Sequence, residues 1–212
     1  MTAMTPEEIG QSYDRITARW EDPEHPLTGI PQHERALRFL DTKEHALDVG
    51  CGCNGRLIDL MESAGFAVEG VDISERMVDL ARRRNPSATF HHADIGRWPL
   101  PRRYDLISGW DSIWHVALAE QEPLLRKLCA GLKPRGVLIF TMGGLDRPSE
   151  DRNSHMGVPV SYASLGIPRT LAVLAECGCV CRHLEYDQYP EAHVYVIAQR
   201  ADPPASESRQ PS

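Results

Sequence analysis

The chain has 212 residues, 42% hydrophobic and 25% charged, which are ordinary globular values that exclude a fibrous repeat or bulk disorder. Its formal charge of −7, with three lysines among the basic residues, offers no net attraction to phosphate backbones, so nucleic acid is not expected as a partner. No apolar run approaches the roughly 20 residues that span a bilayer, and the acidic start MTAMTPEEIGQSYDR lacks a signal-peptide core; a cytoplasmic protein without a membrane partner, a monomer or homodimer, is expected.

In chain order, PEEIGQSYDRITARW places Ile9, Tyr13, Ile16 and Trp20 at helical spacing, with Pro6 and two glutamates in the first turn. The Pro- and Gly-punctuated EDPEHPLTGIP reads as a loop, and QHERALRFLDT resumes a helix, so residues 1–44 form a helical cap. From residue 45 short apolar strands alternate with amphipathic helices: HALDVG, GRLIDLMESAG, AVEGVD, SERMVDLARRR, ATFHHAD, YDLISGW, AEQEPLLRKLCAGL and GVLIFTM. That rhythm implies βαβ crossovers and a doubly wound parallel sheet of the Rossmann-like α/β class. The dense basic run Arg82–Arg84 falls on one of these helices and reads as a solvated face.

The two dozen residues from Gly143 to Gly166 show weak periodicity and read as a binding loop or lid. A helix, PRTLAVLAECG, follows, and two β-rich runs, VCRHLEYDQY and AHVYVIAQ, lie too close together for a crossover and must pair antiparallel. One domain is expected over 45–200, and the Pro/Ser-rich 201–212 is expected to be a disordered tail.

The stretch DVGCGCNGR at Asp48–Arg56 carries the chemistry. Gly50, Gly52 and Gly55 give the G-x-G-x-x-G spacing of a nucleotide-binding turn between strand and helix, and Asp72, 20 residues past Gly52 at the end of the second strand, suits a ribose diol. Both features serve a nicotinamide dinucleotide and S-adenosylmethionine (SAM) equally. Three observations separate them: Asp48 would repel a pyrophosphate but complement the ammonium of a methionine moiety; Asp94 closes the third strand where it can meet an adenine amino group, with Ile95 against the ring; and the chain has no Y-x-x-x-K pair for hydride chemistry.

In LDVGCG, VEGVDIS, ADI, YDLI and LCAGLKPRGVLIFT, in that order, the sequence resembles the class I SAM-dependent methyltransferases, particularly bacterial enzymes acting on small molecules, over roughly residues 13–200. The resemblance implies a seven-stranded sheet with the last strand antiparallel, SAM as cofactor and a small-molecule methyl acceptor. It also implies that the backbone of Gly50, Cys51 and Gly52 faces the methionine portion, that Asp72 binds the ribose, and that Ile73 and Met77 lie near the adenosine. Asp94 and Ile95 would frame the adenine, with Trp110 lining the pocket and Tyr13 and Trp20 covering the cofactor from the cap. The family's G-x-G-x-G is broken here, since Asn54 occupies the third glycine position and Gly55 follows, so a turn one residue longer is expected. The rival readings are a macromolecular methyltransferase, for which the basic groove and the N/D-P-P-Y/F/W motif are missing, and a NAD-binding oxidoreductase.

Methyl transfer needs an aligned nucleophile and a dry site more than a dedicated residue. Where a base is used, neutral imidazole suits it, and His115 in DSIWHV is the leading candidate, ahead of His33 and His155, with Asp111 able to orient either His115 or a substrate amine. The six cysteines show no C-x-x-C pairing, and no metal site is expected.

Overall fold

The computed structural model describes residues 3–22 and 28–202. The cap holds helices α1 (Pro6–Ile16), α2 (Ala18–Glu21) and α3 (Ile30–Leu37). Helix α1 starts on a capping box: the Thr5 side chain accepts from the Glu8 N–H, and the Glu8 carboxylate accepts from the Thr5 N–H. The centre of the loop between α2 and α3, and the tail from residue 203, lie outside the described residues.

Seven strands make one sheet in the order β3-β2-β1-β4-β5-β9-β8: β1 (His45–Val49), β2 (Ala67–Asp72), β3 (Thr89–His92), β4 (Tyr104–Gly109), β5 (Leu132–Gly143), β8 (Cys179–Glu185) and β9 (His193–Arg200). All run parallel except β9, which is antiparallel to both β5 and β8, as the short connection between the last two runs requires. Side chains alternate between two cores. Leu47, Val49, Ile107, Leu138, Phe140, Val194 and Val196 face helices α6 (Leu118–Ala130) and α7 (Ile167–Glu176). Ala46, Leu106, Val137, Ile139, Tyr195 and Ile197 face α3, α4 (Arg56–Ser63) and α5 (Glu75–Arg84). Burial on both faces is why these strands read as continuous apolar runs.

Two local expectations are revised. The fifth strand does not start at GVLIFTM but already at Leu132, so that KPRG lies inside β5, where Arg135 takes φ 60 and the register with β4 shifts between Tyr104 and Leu106. The weakly periodic segment after β5 is an antiparallel ribbon, β6 (Ser149–Asn153) and β7 (Val160–Ser164), with every residue of β6 paired. The period-2 signal was hidden because β6 is exposed and wholly polar, SEDRN, so it has no apolar face to alternate. The ribbon is anchored to the cap: the Met4 N–H donates to Ser161 Oγ at 3.0 Å, Arg19 Nη1 donates to the Met156 carbonyl at 2.9 Å, and Val158 and Val160 pack with Met4 and Ile9.

Candidate active site

At the carboxyl ends of β1, β2 and β4, beneath the cap and the ribbon, lies a cavity of about 660 Å³. Strand ends at the point where the sheet order reverses are where α/β sheets bind ligands, and the volume falls within the roughly 300–1,000 Å³ of small-molecule sites. Tyr13, Trp20, Gly50, Cys51, Gly52, Asp72, Ile73, Met77, Asp94, Ile95, Trp110 and His115 all line it. Asp48 does not; it is buried beneath the loop.

One wall is the glycine turn. Gly50 (φ 70), Gly52 (φ 56) and Gly55 (φ 70) all sit in the left-handed region, and a Cβ on Gly50 would stand 2.2 Å from Ser112 Cβ. The extra residue at Asn54 does not disturb the helix start: its Oδ1 accepts from the Arg56 N–H at 3.2 Å, replacing a cap, and α4 begins at Arg56. Asp72 links the turn to the second strand. Its two oxygens accept from the Gly52 and Ser74 N–H groups, each at 2.9 Å, while burial holds the carboxyl above its ordinary range against those bonds. Each oxygen keeps a lone pair free for a hydroxyl donor. Asp94 sits two residues past β3 and accepts from the Gly96 N–H at 2.8 Å.

The facing wall is assembled from distant segments. His115 ends a short 3-10 turn, Ile113–His115, and its two nitrogens have unambiguous roles. The Ser161 carbonyl, 2.8 Å from Nδ1, can only accept, so Nδ1 carries the proton. The Trp114 indole N–H donates to Nε2 at 3.1 Å, and the Tyr13 hydroxyl donates to the same atom at 2.6 Å, so Nε2 is the basic nitrogen. Burial lowers the imidazole pKa to about 4, and the ring is neutral near pH 7. Burial likewise raises the Tyr13 phenol, and the Asp72 and Asp111 charges add to it. Trp20 packs edge-on against Tyr13, their centroids 5.4 Å apart, and Tyr162 lies 5.0 Å from the His115 ring.

The other two histidines do not reach the cavity. His33 is fully buried under Trp110, and His155 is exposed on the ribbon's connection. Asp111 does not hydrogen-bond His115. It takes φ 51, unusual for a non-glycine, and its Oδ1 accepts from Nε2 of His193 at 2.9 Å, while Nδ1 of His193 donates to Asp187 at 2.5 Å. Gln32 Nε2 completes the row by donating to the second oxygen of Asp187 at 2.8 Å. Burial works against the imidazolium of His193, but its two carboxylate partners outweigh it and the pKa is raised. Asp111 and His193 line the cavity together with Gln188 and Glu120. Sequence reading missed His193 and Asp187 because nothing local marks them: Asp111 lies 82 residues from His193, and Asp187 sits in the connection before β9.

The cysteines are free. Cys51 and Cys53 lie in the glycine turn, Cys129, Cys177 and Cys179 come together between α6 and the start of β8, and Cys181 is exposed. No group of three His, Cys, Asp or Glu side chains among the described residues is arranged to hold a metal ion, and no helix among them is long and apolar enough to cross a membrane.

Residues 46–136 match a family model described as a methyltransferase domain. A dTDP-3-amino-3,6-dideoxy-alpha-D-glucopyranose N,N-dimethyltransferase from Streptomyces fradiae is 40% identical over 141 residues, 62% of this chain and 52% of that protein. A trans-aconitate 2-methyltransferase from Paracidovorax citrulli is 37% identical over 116 residues, 53% of this chain and 44% of that protein. The chain thus spans about half the length of the curated relatives it matches. Among solved structures, a SAM-bound amino pentose methyltransferase from Micromonospora echinaspora shares the fold at a TM-score of 0.61 and 19% identity, covering 81% of this chain and 89% of that one.

Proposed function

We propose that this chain, which belongs to the class I SAM-dependent methyltransferase family, binds SAM along the glycine-turn wall of its cavity and transfers the methyl group to a small molecule held against the facing wall. The observation that carries this reading is that one cavity is lined both by Gly50–Gly52, Asp72 and Asp94 and by the hydrogen-bonded Tyr13–His115 pair.

The residues on the first wall fit the cofactor by their chemistry. Asp72 keeps lone pairs for the two ribose hydroxyls, with its carboxylate already aimed by Gly52 and Ser74. Asp94 offers an acceptor to the adenine amino group, and Ile73, Met77 and Ile95 offer apolar faces to its ring. Bound SAM supplies an electrophilic methyl on a sulfonium. What the protein adds is orientation, exclusion of water and a place for the acceptor's proton.

That place is Nε2 of His115. With Nδ1–H committed to the Ser161 carbonyl, the ring cannot flip its tautomer, and the basic lone pair stays directed at Tyr13. An acceptor hydroxyl or amine takes the position of the Tyr13 hydroxyl or hands its proton through it to Nε2. The Asp111–His193 pair at the same wall suits a polar group of the acceptor away from the reacting atom, while Met156, Trp114 and Tyr162 take its apolar part. The cap and the ribbon, which meet over the cavity, would set substrate choice.

The test is a panel of phenols, thiols, amines and carboxylates incubated with SAM and read as S-adenosylhomocysteine (SAH) formed. Turnover of one class with SAM, together with SAH binding by calorimetry, is expected. Failure of both SAM and SAH to bind or stabilise the protein would overturn the reading.

A further inference from the structure

The row of side chains that ends at Asp111 carries a charge that the protein does not balance. Nε2 of His193 donates to Asp111 Oδ1 at 2.9 Å, Nδ1 of the same ring donates to Asp187 Oδ1 at 2.5 Å, and Gln32 Nε2, on α3, donates to Asp187 Oδ2 at 2.8 Å. The Asp187 and His193 side chains are nearly closed to solvent, with exposures of 8% and 10%, whereas that of Asp111 is 35% exposed and lines the cavity. The Asp111 backbone is tied down as well, since its N–H donates to Thr141 Oγ1 on β5 at 2.8 Å. Its carboxylate is drawn to the start of β9, two places along the sheet from β4 and on the opposite side of it from β1.

Counting charges and lone pairs decides what this row can take. Both ring nitrogens of His193 face carboxylate oxygens, which accept, so both carry protons and the ring is an imidazolium. One positive charge against two negative ones leaves the row with one net negative charge. Asp187 uses both of its oxygens inside the row and does not line the cavity. Asp111 uses only Oδ1; among the described residues Oδ2 has no hydrogen-bond partner, and no Lys or Arg forms an ion pair with either carboxylate. Arg56, which lines the same cavity, gives its Nε to the Thr28 carbonyl at 2.7 Å. Aromatic faces stand close by: the Trp114 ring lies 5.5 Å from His193 and 6.2 Å from Tyr162, and all three line the cavity. A free carboxylate oxygen beside indole and phenol rings suits an organic ammonium, which gains a charge-assisted hydrogen bond and a cation–π contact. A neutral hydroxyl would fill the lone pair but leave the charge unbalanced, and an anion would be repelled.

We infer that Asp111 selects the acceptor, its free carboxylate oxygen binding a cationic amine of the small molecule while the rest of the row holds that carboxylate in place. The inference rests on the reading of the cavity as a site for SAM and an acceptor, and it names the acceptor's class: a small molecule with an aliphatic amine, protonated near neutral pH. Held as an ammonium, that nitrogen has no lone pair with which to attack. It anchors the molecule, and a second atom meets the methyl group. The ammonium of the cofactor is the other cation that enters the cavity. The glycine turn stands on the β1 side of β4 and the Asp111 carboxylate is drawn to the β9 side, which assigns it to the acceptor.

The test uses the SAH-saturated protein and three probes of one shape, titrated by calorimetry: tyramine, its neutral analogue with a methyl in place of the amine, and its analogue with a carboxylate there. Tyramine should bind about 10- to 100-fold more tightly than the neutral analogue, and the carboxylate should bind most weakly. Asp111→Asn keeps an oxygen for His193 and a residue that tolerates positive φ, so the fold should survive. In that variant tyramine affinity should drop to that of the neutral analogue, while the affinities of the neutral analogue and of SAH stay within a few-fold. Glu120→Gln neutralises another carboxylate at the cavity and should leave the preference for tyramine intact. No binding of tyramine, equal binding of the three probes, a preference that survives Asp111→Asn, or one that is lost in Glu120→Gln would overturn the inference and leave the SAM site standing. A fall of about 10-fold or more in SAH affinity in Asp111→Asn would give the carboxylate to the cofactor's ammonium and overturn it as well. Absence of SAH binding to the native protein would overturn the SAM reading and this inference with it.

Discussion

The two walls of the cavity are built on different principles. The glycine-turn wall is local: Gly50, Cys51 and Gly52 follow β1 directly, Asp72 ends the neighbouring strand, and backbone N–H groups hold its carboxylate. The facing wall is a convergence, in which Tyr13 meets His115 across 102 residues and His115 meets Ser161 across 46. A wall made of backbone and strand ends is held wherever the sheet forms, whereas a wall of side chains from the cap, a turn and a ribbon exists only when those three pieces dock. Cofactor binding and acceptor chemistry should therefore separate under mutation.

The largest separation is expected at His115. His115→Gln removes the basic lone pair while keeping a polar side chain, and kcat should fall about 100-fold or more. SAH affinity, measured by calorimetry on the same preparation, should stay within a few-fold. Equal losses in both would break the comparison, because they would make His115 part of the cofactor wall.

The opposite pattern is expected at Asp72. Asp72→Ala deprives the ribose of a charged acceptor and leaves the Gly52 and Ser74 N–H groups unpaired. At about 1.5–3 kcal/mol for a hydrogen bond to a charged group, SAH affinity should fall about 10- to 100-fold. An unchanged dissociation constant would remove Asp72 from the site.

Within the glycine turn, two substitutions sharpen the claim that backbone shape builds this wall. Gly50→Ala combines a left-handed φ with a Cβ 2.2 Å from Ser112, and should cost about 2–4 kcal/mol of stability. Gly52→Ala meets nothing within 4 Å, so only the backbone term remains, about 1–2 kcal/mol. Chemical denaturation of both variants checks the difference, and equal costs would show that the contact with Ser112 relaxes without penalty.

The smallest effect is a pH dependence that should be absent. Burial disfavours the imidazolium of His115, so its folded pKa lies below the ordinary value of 6.5, at about 4, and the basic form persists well below neutral pH. With cofactor saturating, kcat should stay nearly flat from pH 7 down to about 5. An acid limb of kcat centred near 6.5 would mean that His115 is solvated or is not the base.

What the sequence alone determined is the sheet and the wall built from its ends. Strand and helix periodicity, the glycine spacing, Asp48 and Asp72 at strand ends and Asp94 two residues past the third strand are local patterns, because backbone geometry at a strand end is specified by the residues that make it. The ribbon escaped because an exposed polar strand has no buried face to print a period into the sequence. The tertiary structure decided the rest. It placed Asp48 beneath the turn rather than in it, excluded His33 and His155 from the cavity, and turned Asp111 to His193 instead of His115. Which titratable groups meet, and which nitrogen of a histidine holds the proton, depend on contacts between segments tens of residues apart, and no local pattern encodes them.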